Sequence, residues 1–231
     1  MSSIAIITAR GGSKRIPKKN IKDFCGKPII AYSIETAIKS DIYHEIMVST
    51  DSEEIAEIAV KYGAKVPFLR SKATSNDYAT SADVIKEVLC EYVKKGKVYD
   101  IFTCIYPTDP FVTEKKLEYA NEALKKMDID GVVAITRFSF PPQRAFVIRN
   151  DCLAYQYPEN ARKRSQDLEP LYYDAGQFYF CKTERFLEHH SLILPKTIGY
   201  IMKEEEVQDI DTLSDWTIAE MKYKIMMMRK E

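Results

Sequence analysis

Ile4-Ala-Ile-Ile-Thr-Ala-Arg-Gly-Gly-Ser-Lys-Arg-Ile-Pro-Lys-Lys-Asn-Ile-Lys-Asp-Phe-Cys-Gly-Lys27, with Pro28-Ile-Ile-Ala-Tyr-Ser-Ile-Glu-Thr-Ala-Ile38 behind it, is the stretch on which the fold turns. Ile4 to Ile7 is the apolar run of a buried strand, and Pro28 to Ile38 has helical apolar spacing with proline near its start. Between them, residues 8 to 27 carry seven basic side chains and one acidic one, in a chain whose formal net charge is zero. Strand, glycine-containing basic loop and helix bring backbone amides, fixed cations and a helix N-terminus together, which is how folds commonly grip phosphates. Residues 8 to 27 therefore read as a nucleoside-triphosphate loop. A merely solvated cationic loop is the plainer alternative; Lys18, Lys22 and Lys27 fit it one by one, but paired glycines at a strand's end argue against it for the whole segment. Gly11-Gly12-Ser13-Lys14 lacks the G-x-x-x-x-G-K-[ST] spacing, and no G-x-G-x-x-G follows the strand, so an ordinary P-loop ATPase and a dinucleotide dehydrogenase are disfavoured.

A chain of 231 residues with 45% hydrophobic content can bury one substantial core, which suits a single domain carrying an elaboration. The short apolar stretch at Ile4 is followed at once by basic residues, unlike a secretory signal, and no run approaches the ~18 to 20 apolar residues of a membrane-spanning helix. The expectation is a cytoplasmic protein with no membrane contact. Cys25, Cys90, Cys104, Cys152 and Cys181 are odd in number and include no C-x-x-C pair, so free, mostly packed thiols are expected. His44, His189 and His190 lack metal-ligand spacing. Balanced charge disfavours a nucleic-acid partner, which calls for a broad basic surface.

Strand-like runs recur at residues 4 to 9, 45 to 50, 100 to 106, 131 to 136, 177 to 181 and 198 to 202. Helical patterns separate most of them, at 52 to 62, 81 to 95, 113 to 127 and 212 to 228, with Thr80 and Asp83 spaced to cap the second of these. Such alternation predicts an α/β chain with a mostly parallel sheet covered on both faces. Ligands of these sheets lie beyond the carboxyl ends of the strands. That rule nominates Arg10 onward, Thr50-Asp51, Pro107-Thr108-Asp109 and Arg137. The connection from Phe138 to Tyr173 is too long for an ordinary loop and reads as functional or as an interface. Residues 145 to 157 within it read as a small hairpin with a polar turn at Asn150-Asp151, and 161 to 167 form a second basic cluster.

Near the other end, Asp209 and Asp211 stand two apart in an extended pattern before a helix, so both carboxylates share one face and could hold a divalent ion against a polyphosphate. Alone, the pair fits a helix cap at Asp211 with a solvated Asp209 equally well. With the basic loop, it favours metal-assisted phosphoryl chemistry.

Ala9-Arg-Gly-Gly-Ser-Lys-Arg-Ile-Pro-Lys-Lys-Asn20, Gly26-Lys-Pro28, Ser49-Thr-Asp51, Arg70, Ser81, Arg164-Ser-Gln-Asp167, Asp174-Ala-Gly-Gln-Phe-Tyr179 and Asp209-Ile-Asp211 resemble the acylneuraminate cytidylyltransferases, or CMP-sialic acid synthetases, from about residue 4 to residue 217. Phe138-Ser-Phe-Pro-Pro-Gln-Arg144 and Ser165-Gln-Asp-Leu-Glu-Pro170 are most similar to the pseudaminic acid branch. The resemblance implies a three-layer, Rossmann-like, mostly parallel sheet of the nucleotide-diphospho-sugar transferase type, forming one nucleotidyltransferase domain over residues 1 to 231. It also implies that residues 138 to 173 are an inserted arm exchanged across a homodimer. The implied activity transfers CMP from CTP to the anomeric hydroxyl of a nine-carbon 2-keto sugar acid, a nonulosonic acid, with release of pyrophosphate and with Mg²⁺ as cofactor.

By the same resemblance Ala9, Arg10, Gly11, Gly12, Ser13, Lys19, Asn20, Arg70 and Ser81 hold the nucleotide. Arg10, Lys19 and Asp211 are the catalytic candidates, and Asp209 and Asp211 carry metal. Tyr106, Arg164, Gln166, Asp174 and Gln177 form the acceptor side. Tyr106 stands where the family commonly has glutamine, which points to an acceptor other than ordinary sialic acid or, equally, to a packing residue. Arg164 offers a planar fork for the sugar carboxylate and could reach a neighbouring subunit's site. Phe178, Tyr179, Phe180 and Trp216 read as packing. Three rivals remain: a sialic or legionaminic acid synthetase, which differs in pocket shape; a 3-deoxy-manno-octulosonate cytidylyltransferase, which the long arm disfavours; and a non-catalytic nucleotide-binding module, which an intact Asp209-x-Asp211 disfavours.

Overall fold

The computed structural model describes residues 1–229, so the last two residues of the single domain expected over residues 1 to 231 lie outside the described residues. Along the chain come strand β1 (Ser3–Thr8), the short strands β2 (Asp23–Phe24) and β3 (Lys27–Pro28), helix α1 (Ile29–Lys39), β4 (Glu45–Ser49), α2 (Glu53–Lys61), α3 (Ser81–Lys94) and β5 (Ile101–Ile105). There follow α4 (Glu114–Lys126), β6 (Gly131–Arg137), a hairpin of β7 (Phe146–Arg149) and β8 (Cys152–Tyr155), β9 (Tyr172–Lys182), α5 (Thr183–His189), β10 (Thr197–Met202) and α6 (Leu213–Met228). The sequence reading had no separate α5, and it started β9 five residues late because Tyr172 to Gly176 is exposed and polar on that side.

Six strands form one sheet in the order β10-β6-β9-β5-β1-β4. β9 alone runs antiparallel, between β5 and β6, and the rest are parallel, as the alternating pattern required. Strand residues point alternately to two faces. Ala5, Ile7 and Val48 meet α1, α2 and α4 on one face, whereas Ile4, Ile6, Phe102 and Cys104 meet α3 and Phe186 of α5 on the other. The result is the expected three-layer α/β arrangement. Trp216, Ala219 and Met226 of α6 pack with Phe24, Tyr32 and Phe111 in a third cluster, so the C-terminal helix closes over the segment that follows the basic loop.

Helix ends follow their local chemistry. Thr80 with Asp83 and Thr212 with Asp215 each form a reciprocal capping box, and Ser52 caps α2 by accepting from the Ile55 amide. Such caps contribute about 1 kcal/mol each. The cap of α6 is therefore Thr212, which frees Asp211 from the capping role that was its plainer reading. All five cysteines are free, but Cys90 and Cys152 are exposed rather than packed.

The pairing of β6 with β9 breaks between Val133 and Ile135, where Ala175 to Phe178 bulge out of register. Gly176 there has φ of +63°, and its missing Cβ faces the Tyr106 ring. The bulge turns the chain at the carboxyl edge of the parallel strands, and the hairpin arm leaves from that same edge. Asn150 and Asp151, both at positive φ, make the two-residue turn of the hairpin.

Candidate active site

Beyond the carboxyl ends of β1 and β5 lies a cleft of about 510 Å³. Arg10, Ser13, Lys14, Arg15, Lys19 and Asn20 line it from the basic loop, Arg70, Asn76, Asp77, Ala79 and Thr80 from the segment before α3, Ser81 from the start of α3, Tyr106 to Thr108 from the end of β5, and Asp211 from the segment before α6. Residues nearly two hundred positions apart thus share one wall. Arg15 Nη1 lies 2.6 Å from Asp211 Oδ2, and Lys19 Nζ lies 3.8 Å from Asp211 Oδ1 while donating to the Ile210 carbonyl at 2.7 Å.

Two other loop cations meet the opposite rim. Arg10 Nη1 is 2.8 Å and Lys14 Nζ 2.5 Å from the Asp77 carboxylate, which these two donors hold below its ordinary pKa. Asn20 donates to the Arg10 carbonyl at 2.9 Å and fixes the loop's start. Glycines 11 and 12 are exposed and do not adopt positive φ; in the loop, positive φ falls at Lys18, Cys25 and Gly26 instead. Their amides are not equivalent, because that of Gly11 already donates to Asp51 Oδ1 at 2.8 Å. A Cβ at Gly11 would stand 3.0 Å from Ser52, so close approach rather than unusual φ explains the glycine. Ala9 is fully buried beneath the loop.

Arg70 is buried and roots the site in the sheet, donating through Nε to Ser49 Oγ at 3.0 Å and through Nη2 to the Ser49 carbonyl at 2.5 Å. Burial lowers its pKa, with Asp51 and Glu87 acting in the opposite sense. Ser81 Oγ and Tyr106 Oη are 3.0 Å apart. Tyr106 also packs against Tyr179, ring centroids 5.5 Å apart, and Tyr179 donates to Asp174 Oδ2 at 2.7 Å. Desolvation raises the pKa of both phenols, so both are proton donors at neutral pH. Tyr106 is therefore both a packing residue and a wall of the cleft.

The other acceptor-side candidates stand elsewhere. Gln177 is fully buried and donates to the Glu206 carbonyl at 2.7 Å, so its side chain braces a neighbouring loop rather than facing the cleft; the β9 bulge turns it inward. Asp174 lies at the bulge, where Oδ1 accepts from the Gly176 amide at 2.8 Å. Arg164 is exposed and pairs with Asp167 at 2.7 Å in the arm. Gln166 lines a second cavity of about 440 Å³ at the arm's base, with Arg137, Ser165 and Glu204. Asp209 is exposed beside Asp109, whose buried carboxyl is pushed well above the ordinary range by desolvation and then by the Asp209 charge.

Sequence reasoning did not single out Asp77, Lys14 or Arg15. The available signal for Asp77 was the polar turn Ser75-Asn-Asp-Tyr78 just before a capping threonine. Among the described residues no group of three or more His, Cys, Asp or Glu side chains could hold a metal. Any ion here needs ligand oxygens in addition to the carboxylates, which suits magnesium with a polyphosphate.

Residues 4–215 match the cytidylyltransferase family model. The chain belongs to the cytidylyltransferase family. Within the family, it is 42% identical over 226 residues to a pseudaminic acid cytidylyltransferase of Campylobacter jejuni subsp. jejuni, covering 97% of both chains. It is 32% identical to a CMP-N,N'-diacetyllegionaminic acid synthase of Legionella pneumophila, covering 100% of this chain and 99% of that one. Its fold matches that of a CMP:2-keto-3-deoxy-manno-octonic acid synthetase solved with CTP, at a TM-score of 0.70 and 16% identity over the whole of both chains. The cytidylyltransferase fold thus carries the charged cleft at the edge of its parallel strands. No helix of the described residues is long and apolar enough to cross a membrane.

Proposed function

We propose that this cytidylyltransferase transfers CMP from CTP to the anomeric hydroxyl of a nonulosonic acid, with pseudaminic acid as the acceptor. The observation that carries the reading is the meeting of the basic loop with Asp211 across one cleft, Arg15 and Asp211 being 2.6 Å apart. A polyphosphate needs concentrated positive charge and, for transfer, carboxylates that can share a hard cation with it. The higher identity to the pseudaminic acid enzyme than to the legionaminic acid enzyme supports the acceptor assignment.

In this reading Arg10, Lys19 and the amide of Gly12 take the triphosphate, while the Ser13 amide, which donates to the Gly11 carbonyl at 3.0 Å, holds the turn of the loop, and Asn20, Arg70 and Ser81 position the nucleoside. Binding requires the phosphates to displace Asp77 from Arg10 and Lys14. Asp209 and Asp211 would hold Mg²⁺, which when bound neutralises phosphate charge and orients the triphosphate. The acceptor oxygen attacks the α-phosphorus, its O–P bond forms as the bond from that phosphorus to the oxygen bridging to the β-phosphate breaks, the electron pair leaves with pyrophosphate, and the hydroxyl proton passes to solvent water. Charge moves onto departing pyrophosphate, where fixed guanidinium and ammonium groups stabilise it without reorganisation. The protein's other task is to align the acceptor opposite the leaving group. Tyr106, with its phenol already bonded to Ser81, forms a wall on the acceptor side.

The arm, residues 138 to 173, is assigned to a homodimer in which Arg164 serves the neighbouring cleft. Support comes from its exposed apolar side chains, Phe140, Ile148 and Leu153 among them. Pyrophosphate release with CTP, Mg²⁺ and a panel of 2-keto acids tests the activity: pseudaminic acid should turn over fastest. Preference for neuraminic, legionaminic or 3-deoxy-manno-octulosonic acid would overturn the acceptor assignment, and CTP binding without release from any acceptor would favour a module that only binds.

A further inference from the structure

Lys116 lies in the first turn of α4, on the same face as Leu117, Ala120 and Leu124, and its side chain is only 8% exposed. Taking an ammonium out of water is costly, and replacing a buried ion pair by apolar groups is often neutral or stabilising. Stability alone does not account for a lysine at this position. Its Nζ lies 2.9 Å from Glu206 Oε2 and donates to the Phe111 carbonyl at 2.8 Å. One charge therefore ties together two loops of the carboxyl edge. The first follows β5 and carries Tyr106 and Asp109; the second links β10 to α6 and carries Asp209 and Asp211.

The second loop leans on side chains along its length. Gln177 donates to the Glu206 carbonyl at 2.7 Å, Lys222 to the Val207 carbonyl at 2.7 Å, and Lys19 to the Ile210 carbonyl at 2.7 Å. Each of these donors comes from a different element. Glu206 is where two of the braces meet, since Gln177 holds its carbonyl and Lys116 its carboxylate.

We propose that Lys116 is a positioning residue, which through Glu206 sets the register of residues 203 to 212 so that Asp209 and Asp211 face the triphosphate. The proposal rests on the reading of those aspartates as the magnesium-holding pair. Lys116 does not line the cleft and acts through the loop it pins.

Lys116→Met keeps the volume and removes the charge. The variant should fold, with residues 203 to 212 exchanging amide hydrogens about 10-fold faster by mass spectrometry and the rest of the chain unchanged. Half-saturation by Mg²⁺ in pyrophosphate release should rise about 10-fold, the scale on which loss of an outer partner weakens a metal site. CTP binding measured calorimetrically without Mg²⁺ should stay put, and Lys116→Arg should recover the Mg²⁺ response. Should the methionine variant fail to fold, Glu206→Gln severs the same pair from a half-buried position and is expected to give the same two changes. Wild-type exchange over 203 to 212 together with a wild-type Mg²⁺ titration in either folded variant would overturn the proposal. A wild-type protein that releases no pyrophosphate would defeat the assigned activity instead, and the exchange measurement would still decide the role of Lys116.

Discussion

The cleft and the arm leave the same edge of one sheet, yet their surfaces are finished in opposite ways. In the cleft, Arg10 and Lys14 share Asp77, while Arg15 and Lys19 share Asp211, so a basic loop is only partly neutralised by carboxylates from two distant segments. In the arm, Phe140 ahead of the two-stranded hairpin is 87% exposed, and Ile148 and Leu153 within it are 76% and 66% exposed. An isolated hairpin buries little of its own, and neighbouring exposed apolar residues mark a surface that another surface covers. The cleft's cations thus find carboxylate partners within one chain. The arm leaves these apolar side chains uncovered by its own chain.

If the cleft's charges are there for phosphate, removing one should be the most damaging change. Arg10→Ala is expected to lower pyrophosphate release about 10²-fold or more, the usual effect of deleting a fixed donor to developing oxyanion charge. Turnover near wild type would return Arg10 to a surface pairing with Asp77. Deleting residues 145 to 157 tests the other side of the comparison: sedimentation should show monomers, with the cleft's CTP binding retained. Persisting dimers would mean that the arm's apolar surface has another use. Asp211→Asn leaves the side chain's shape but removes one of the two proposed magnesium carboxylates. Half-saturating Mg²⁺ should rise on the order of 10-fold, and an unchanged titration would assign Asp211 to Arg15 alone.

The sequence carried the sheet because its parallel strands are short apolar runs with helical spacing between them, and two of the helix starts announce themselves through Thr80 with Asp83 and Ser52. β9 was half hidden. Its buried half, Gln177 to Cys181, is apolar apart from Gln177, while Tyr172 to Asp174 pairs with β6 but is exposed at every position, so no period of two shows, and Ala175 to Phe178 form the bulge. The same bulge explains Gln177, which a pattern places beside the acceptor and the backbone turns towards Glu206. Lys116 escaped for a different reason. A lysine in a helical pattern reads as solvent-facing, and its burial depends on a carboxylate ninety residues downstream that no local period encodes. Charge density made the basic loop conspicuous, whereas Asp77, a single acid in a polar turn, has meaning only through the cations opposite it.

The smallest expected effect concerns how the rim bearing Asp77 is held. Glu87 on α3 accepts from the Ser71 amide at 2.8 Å, from Ser71 Oγ at 2.7 Å and from Thr74 Oγ1, and so anchors the start of the loop that ends at Thr80. Burial acts to raise its pKa, but the bonds from Thr74 and Ser71 and the nearby Arg70 charge outweigh burial and leave it lowered. A carboxylate whose folded pKa lies below its unfolded value contributes stability that is fully present above the unfolded pKa and lost as pH falls through the folded one. Glu87→Gln should therefore cost about 1 kcal/mol near neutral pH, because hydrogen bonds to a half-buried charge are partly screened. The variant's deficit should shrink as pH drops below about 4, where the wild-type carboxylate protonates as well. Thermal melts of both proteins between pH 3 and pH 7 check this. A deficit independent of pH would show that the loop depends on the shape of residue 87 and not on its charge, and Asp77 would then owe its place opposite Arg10 to the ion pairs alone.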